Sequence, residues 1–436
     1  MSKPQTVKND FLREQYDVVT HESGLLIYVF PKKLSTAYAS LTVRFGSLHN
    51  TFRLENEEEA LTLPDGIAHF LEHKMFESED QIDTFDKFAA VGASANAYTS
   101  NEVTSYLFST PGDIDEPLKI LLDYVFHPYF TEKNVQKEVG IIGQEIKMYE
   151  DSPMSRLYSA TMELLYVNHG VRTNICGSYA SISEITPELL MRCHSAFYKP
   201  DNMVLIVVGD LTTDRVLSLV DEALPRVSAC KTPSPTPVEE PKHVYKKIAE
   251  FHMDISRPKL CIGIKDIHLP SAPREKERRA ITMNLLCDLF FGESTLFFDR
   301  LYREGLISND FSACYETIGD CGHFLISGAT DEPERFLSEI CTELRRLQTD
   351  PSAEEADFLR IRGVHYAEYI KDFDNTEEIA TALLDAVIDG TELFDTGSVI
   401  HSVTLTDVLS LCREFFDEER LVYTLITPTK GARSDA

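Results

Sequence analysis

The sequence predicts an α+β protein in which helical runs and antiparallel strands recur on either side of a central break. Three observations carry that expectation. Ala37, Ala39, Leu41, Val43 and Phe45 alternate with Tyr38, Ser40, Thr42 and Arg44, the period of two expected of a half-buried strand. Residues 231–241 are rich in proline and lack periodicity, so they read as an extended linker. The boundaries that follow are an N-terminal unit over 1–228, a linker over 229–243 and a C-terminal unit over 244–436. Beyond the linker the order of elements repeats. Leu260, Ile262 and Ile264 alternate, a helix runs near 275–289, strands surround 324–327, and 421–426 closes the set as 204–208 closes the first. Runs of helices beside antiparallel strands indicate α+β units.

Length and composition bound the function. The 436 residues suffice for two or three domains, each with its own core. No apolar run of about 20 residues occurs, so no membrane span is expected. Residues 1–10 show no apolar core of a signal peptide. The nine cysteines are odd in number and form no Cys-x-x-Cys pair, which argues against a disulfide framework and for a reducing cytoplasm. Cys261 and Cys287 sit in apolar text and read as small core residues. A formal charge of −29 makes nucleic acid an unsuitable partner; it would steer basic peptides or simply solubilise the surface. There is no Trp and no glycine-rich phosphate loop, so no nucleotide cofactor is expected. His194, His252 and His365 are dispersed and carry no assigned role.

The most informative text is His69-Phe70-Leu71-Glu72-His73. On a helix the two histidines, at i and i+4, share a face where both can reach one metal, and Glu72 lies on the same side. This order, H-x-x-E-H, is the inverzincin signature. A catalytic zinc takes three protein ligands and keeps a fourth position for water, so a third ligand must come from elsewhere. The stretch 131–149 is a candidate source: Val135, Val139, Ile142 and Ile146 recur at helical spacing after Thr131, a suitable N-cap. Glu138 and Glu145, seven apart, share one face of it, although carboxylates along a helix edge also describe an ordinary solvated face. Glu150 is a rival on distance from His73.

Taken together, this text resembles the pitrilysin/insulinase family of zinc metallopeptidases. The likeness rests on His69, Glu72 and His73, on Glu145 after 71 intervening residues, and on Glu138 seven residues before it. Gly24-Leu25, Phe45-Gly46-Ser47, residues 92–99, Tyr129-Phe130-Thr131 and residues 202–210 add to it. It covers nearly all of 15–215 and, more weakly, the remainder, and is nearest to the short bacterial branch often encoded beside a copy that lacks the zinc motif. The resemblance implies two homologous domains, each an antiparallel sheet of about five to six strands packed against several helices. It further implies one Zn2+ per chain held by His69, His73 and Glu145, with a catalytic pair in which Glu72 is the general base and Glu138 supports the site without ligating. Glu150 falls outside the Glu-x6-Glu pattern. The segment matching Ser94, Ala95, Asn96 and Ala97 would form an exposed edge beside the metal, onto which an extended peptide adds as a strand; the plain alternative is an ordinary hairpin of 93–99 with 103–108.

Two departures stand out. The helix of the second half that corresponds to the motif reads Thr282-Met283-Asn284-Leu285-Leu286-Cys287-Asp288, without histidine. Many relatives also carry an Arg and a Tyr, seven apart, that contact substrate from the C-terminal half; here Leu301 and Ser308 take those places. A related subunit without zinc, or a second copy of the chain, is therefore expected to complete a closed chamber that admits short peptides. The expected function is that of a cytoplasmic zinc metalloendopeptidase acting on oligopeptides or unfolded segments. A non-cleaving peptide-binding or structural subunit and a metal-dependent hydrolase of a non-peptide substrate are the alternatives.

Overall fold

The computed structural model describes residues 2–53, 59–80, 82–224, 232–233 and 235–429. In chain order its first strands are β1 (Gln5–Asn9), β2 (Glu14–Thr20), β3 (Leu26–Pro31), β4 (Ala37–Val43), the short β5 (Thr51–Phe52) and β6 (Leu61–Thr62), β7 (Ser94–Thr99), β8 (Thr104–Thr110) and β9 (Met203–Gly209). The second half holds β10 (Ile248–Met253), β11 (Lys259–Asp266), β12 (Ser312–Ile318), β13 (Cys321–Ala329) and β14 (Leu421–Pro428). One sheet has the order β1-β2-β3-β9-β4-β8-β7 and the other β10-β14-β11-β13-β12, while β5 and β6 pair separately.

The α+β class holds, with two differences from expectation. The first sheet has seven strands, the second has five, and neither is wholly antiparallel, because β9 lies parallel to β3 and β14 parallel to β10. The last strand of each half inserts between two earlier ones, β9 between β3 and β4 and β14 between β10 and β11. β9 is buried on both faces and reads as an unbroken apolar run from Met203 to Val208, whereas β14 alternates buried and half-buried positions. Without β1 and β2, the two sheets have the same five-strand order and the same strand directions.

A third difference concerns β4, whose alternation predicts one wet face. Tyr38, Ser40 and Thr42 are instead as buried as Ala39 and Leu41. The reason is an exchange of helices between halves. The helix Thr376–Asp389, from the second half, packs on β9 and β4. There Ile379, Ala380, Leu383 and Leu384 meet Tyr38, Val204, Ile206 and Val208. Reciprocally, Pro153–Leu165, from the first half, packs on β11 and β14, setting Leu157, Leu164 and Leu165 against Cys261, Leu325, Val422 and Ile426. The remaining face of each sheet carries its own half's helices. Cys261 and Cys287 are buried, as expected of core residues.

The expected linker is docked, not loose. Its residues 229–231 and 234, and the proposed boundary at 228, lie outside the described residues. Further along, Thr236 N–H donates to Thr51 O at 2.8 Å. Glu240 accepts from the backbone N–H groups of Val167, Asn168 and His169 at 2.7 to 2.9 Å and pairs with the buried Lys265. Among the described residues no single helix is long and apolar enough to cross a membrane.

Candidate metal centre

The motif lies on the helix Ile67–Lys74, which begins at Gly66 in the left-handed region at φ 91°. Ile67, Phe70 and Leu71 face the core, which anchors the helix and pulls His69 and Glu72, each 8% exposed, below the surface. Opposite runs the helix Glu132–Asp151, capped as its sequence predicts: Thr131 Oγ1 accepts from Asn134 N–H at 3.2 Å and Asn134 Oδ1 accepts from Thr131 N–H at 2.8 Å. Val135, Val139, Ile142 and Ile146 bury one stripe of it, and Glu138 and Glu145 project toward the motif. Its last turn is cut by Ser152-Pro153, since a residue before proline avoids helical backbone; Ser152 then caps the exchanged helix.

The two elements meet through side chains. His69 Nε2 stands 3.6 Å from Glu145 Oε1, and His73 Nε2 stands 3.5 Å from Glu145 Oε2. The two imidazole rings are 4.6 Å apart. Both nitrogen–oxygen separations exceed the 2.7–3.2 Å of a good N–H···O hydrogen bond. They lie close to the edge of a tetrahedron with zinc–ligand bonds of 2.0–2.1 Å, which is about 3.4 Å. His73 Nδ1 is held from behind by Glu138 Oε1 at 3.1 Å, and Glu138 Oε2 accepts from the fully buried Lys74 at 3.2 Å. Glu72 Oε2 accepts from Thr99 Oγ1 of β7 at 2.6 Å.

The charges respond accordingly. Burial alone would lower the His73 imidazole, but the Glu138 hydrogen bond and the charges of Glu72, Glu138 and Glu145 outweigh it and raise it. Glu138 is lowered despite its burial, by His73 and Lys74. His69 holds Glu145 below the usual carboxylate range, against burial and with help from His73.

His69, Glu72, His73 and Glu145 line a cavity of about 580 Å3, whose walls include Ala97, Tyr98 and Thr99 of β7, Tyr149, Met162 of the exchanged helix, Arg172 and Cys176. Of the expected substrate residues, Ala97 borders this cavity. Ser94, Ala95 and Asn96 lie further along the same strand, which is the free edge of the sheet, and Asn96 Oδ1 accepts from Ala97 N–H at 2.9 Å. Glu150 lines a neighbouring cavity with Arg156 and Glu163. Leu301 is fully buried, and Ser308 exchanges hydrogen bonds with Arg257 and Asp310; neither borders the metal cavity.

Three residues of the site escape a motif-based reading. Lys74 and Thr99 were detectable only weakly, one as a lysine inside an apolar helix and the other as a strand position in phase with Ala95 and Ala97. Cys176 gives no local signal. Its Sγ is 3.9 Å from His69 Nε2, and His69, Glu145 and Cys176 offer ligand atoms within 4.8 Å of one another.

Residues 31–175 match the insulinase profile of peptidase family M16, and residues 184–362 match its segment described as the peptidase M16 inactive domain. The chain is 37% identical over 409 residues to the uncharacterized zinc protease YmfH of Bacillus subtilis, covering 93% of this chain and 95% of that one. The chain belongs to the pitrilysin/insulinase family of peptidases. Among solved structures, a protein from Alicyclobacillus acidocaldarius described as an M16-like peptidase superposes on this family member with a TM-score of 0.90 at 30% identity, covering 97% of this chain and all of that one. A Helicobacter pylori protease shares the fold, with a TM-score of 0.82 at 20% identity over 95% of this chain and all of its own. Relatives of this M16 chain are thus named zinc proteases.

Proposed function

We propose that His69, His73 and Glu145 hold one zinc ion and that the chain is a zinc-dependent metalloendopeptidase, cleaving oligopeptides or unfolded segments with Glu72 as general base. The observation that carries this reading is that Glu145 lies at ligand spacing from both imidazoles, one oxygen to each, beside a further carboxylate and an open sheet edge. The donor set fits the metal: two neutral nitrogens and one carboxylate leave the fourth position of a catalytic site open. Zinc in such a site polarises a carbonyl and lowers the pKa of a bound water to about 7.

The protein's own groups do the rest. The Thr99 hydroxyl occupies one oxygen of Glu72 and so fixes the plane of the carboxylate, leaving Oε1 to take a proton from water and pass it to the departing amine. Glu138 acts by positioning, since its bond to Nδ1 fixes the His73 tautomer with Nε2 toward the cavity. Lys74 keeps Glu138 ionised in its buried place. A peptide lying along β7 would present its carbonyl to the site through main-chain hydrogen bonds, with Asn96 releasing the Ala97 amide. Leu301 and Ser308 contribute nothing to the cavity, so a related subunit without zinc, or a second copy of the chain, would supply the opposite wall. The reading includes a cytoplasmic location.

The test compares wild type with Glu72→Gln, each isolated from its own cells with whatever co-purifies, by mass spectrometry of a peptide mixture and by metal analysis. Both should carry one zinc, and the variant should cleave roughly 10²–10⁴-fold more slowly. Zinc-loaded, partner-bound wild type that leaves every peptide intact would establish the non-cleaving subunit instead.

A further inference from the structure

We infer that Cys176 is a fourth, displaceable ligand of the site formed by His69, His73 and Glu145, a sulfur latch that closes it until a peptide settles on β7. The inference rests on the zinc reading above and deepens it.

Three observations support it. First, the sulfur is within reach: Cys176 Sγ lies 3.9 Å from His69 Nε2, against about 3.6 Å for sulfur and nitrogen sharing a tetrahedral zinc at 2.3 and 2.0–2.1 Å. Second, His69 is buried, and among the described residues its Nδ1 has no partner while its Nε2 lies 3.6 Å from Glu145 and 3.9 Å from Cys176. Nε2, the ring nitrogen turned to the cavity, thus has a carboxylate and a thiol beside it, with the carboxylate beyond the 2.7–3.2 Å of a good hydrogen bond. Third, Cys176 is built in place. A Cβ on Gly66 would meet Cys176 O at 2.4 Å and one on Gly177 would meet Asp65 O at 2.3 Å, so backbone packs on backbone at the start of the motif helix. Ser181 Oγ adds a hydrogen bond to Asp65 O at 2.8 Å, and Asn174 Oδ1 accepts from Cys176 N–H at 2.9 Å.

The consequence concerns the fourth position. A closed set of four protein ligands is the mark of a structural zinc, whereas a catalytic site keeps one place open. Cys176 and β7 border the same cavity, so a carbonyl presented from β7 competes with the sulfur. With a metal bound, Cys176 would hold it as a thiolate, its S–H proton released to solvent, and on displacement the sulfur would take a proton back from solvent.

The experiment loads full-length wild type, Cys176→Ser and Cys176→Ala with Co2+ or Zn2+ and adds a tryptic peptide digest in a Glu72→Gln background. Wild type should bind one metal and show a near-ultraviolet thiolate-to-cobalt band absent from both variants. Zinc should be held at least ~10-fold less tightly by the variants in chelator competition, as even loss of an outer partner costs that much. Metal should shield Cys176 from alkylation, and peptide should erase the band and restore alkylation; this arm needs no change at Cys176. One metal per chain in all three proteins with no band and equal affinity would overturn the latch and leave the zinc reading intact. A band that peptide leaves unchanged would overturn displacement. No metal in any of them would overturn the zinc reading, and the latch with it.

Discussion

In the first half, edge strand β7 reaches the motif helix through a side chain, Thr99 to Glu72. In the second half, the equivalent edge strand β12 is tied by its backbone to the helix Pro273–Phe291, where the Asn284 amide takes both groups of Tyr315: Nδ2 donates to its O at 3.2 Å and Oδ1 accepts from its N–H at 3.0 Å. The strand order is the same, and the difference is one of chemistry. Where the helix carries His69, Glu72 and His73, the sheet edge stays open beside them. Where it carries Asn284 and a run of leucines, the edge is engaged by its own helix. A duplicated scaffold thus leaves one edge beside ionisable side chains and turns the other into structure.

The largest effect that would break this contrast is at Glu145. Glu145→Gln should lose the single zinc and, with it, peptide cleavage, as read by metal analysis and mass spectrometry, whereas changes in the second half should leave zinc content at one. Full zinc retention in Glu145→Gln would remove the basis for an active first half.

A second test addresses the exchanged helices. Leu165→Ala and Leu383→Ala each empty a buried leucine site and should cost about 2–5 kcal/mol in urea unfolding. Each should loosen the opposite half more than its own, so that hydrogen exchange rises in β11 and β14 for Leu165→Ala and in β4 and β9 for Leu383→Ala. Changes confined to the mutated half would show that the exchange does not couple them.

The third sharpens the comparison with pH. His194 and Cys412 occupy the same place, eight residues after the N-caps Thr186 and Thr404 of the helices that precede β9 and β14. Burial holds His194 down, to about 4, with Nε2 donating to Val125 O at 3.0 Å. Between about pH 4 and 6.5 the unfolded chain binds the extra proton, so stability is complete above 6.5 and falls toward 4, by up to ~3 kcal/mol. Cys412 gains no charge in that range. His194→Gln should flatten the acid limb of a stability–pH curve and Cys412→Ala should not; equal slopes in wild type and His194→Gln would refute the assignment.

The smallest effect is expected at Asn284. Asn284→Ala leaves two backbone groups of Tyr315 without their partners and should cost about 1–3 kcal/mol in denaturant unfolding. Zinc content should not change.

Local reading went furthest where periodicity and motif coincide. Val135, Val139, Ile142 and Ile146 mark the helix that carries Glu138 and Glu145, and Thr131 marks its start, because capping and amphipathic spacing act within a few residues. It went least far at β4, whose polar positions Ser40 and Thr42 look solvated and are buried. The helix that covers them begins more than 300 residues later, and no local pattern encodes that contact. The expected linker failed in the same way: proline content describes an extended chain and says nothing of Glu240 clamping three backbone amides.

By itself, then, the chain's text determined the α+β class, the motif helix and the shared faces of His69, Glu72 and His73 and of Glu138 and Glu145, since helical spacing suffices to set which groups lie together; the family resemblance singled out Glu145 as a candidate ligand and Glu72 as a candidate base. Only the tertiary structure decided that β9 and β14 enter their sheets at the centre, that the halves exchange helices, that Thr99 orients Glu72 and that Cys176 stands beside His69. Those are contacts between segments 27 to more than 300 residues apart, and they arise from packing two sheets and their helices into one core, a property of the whole chain that no window of it contains.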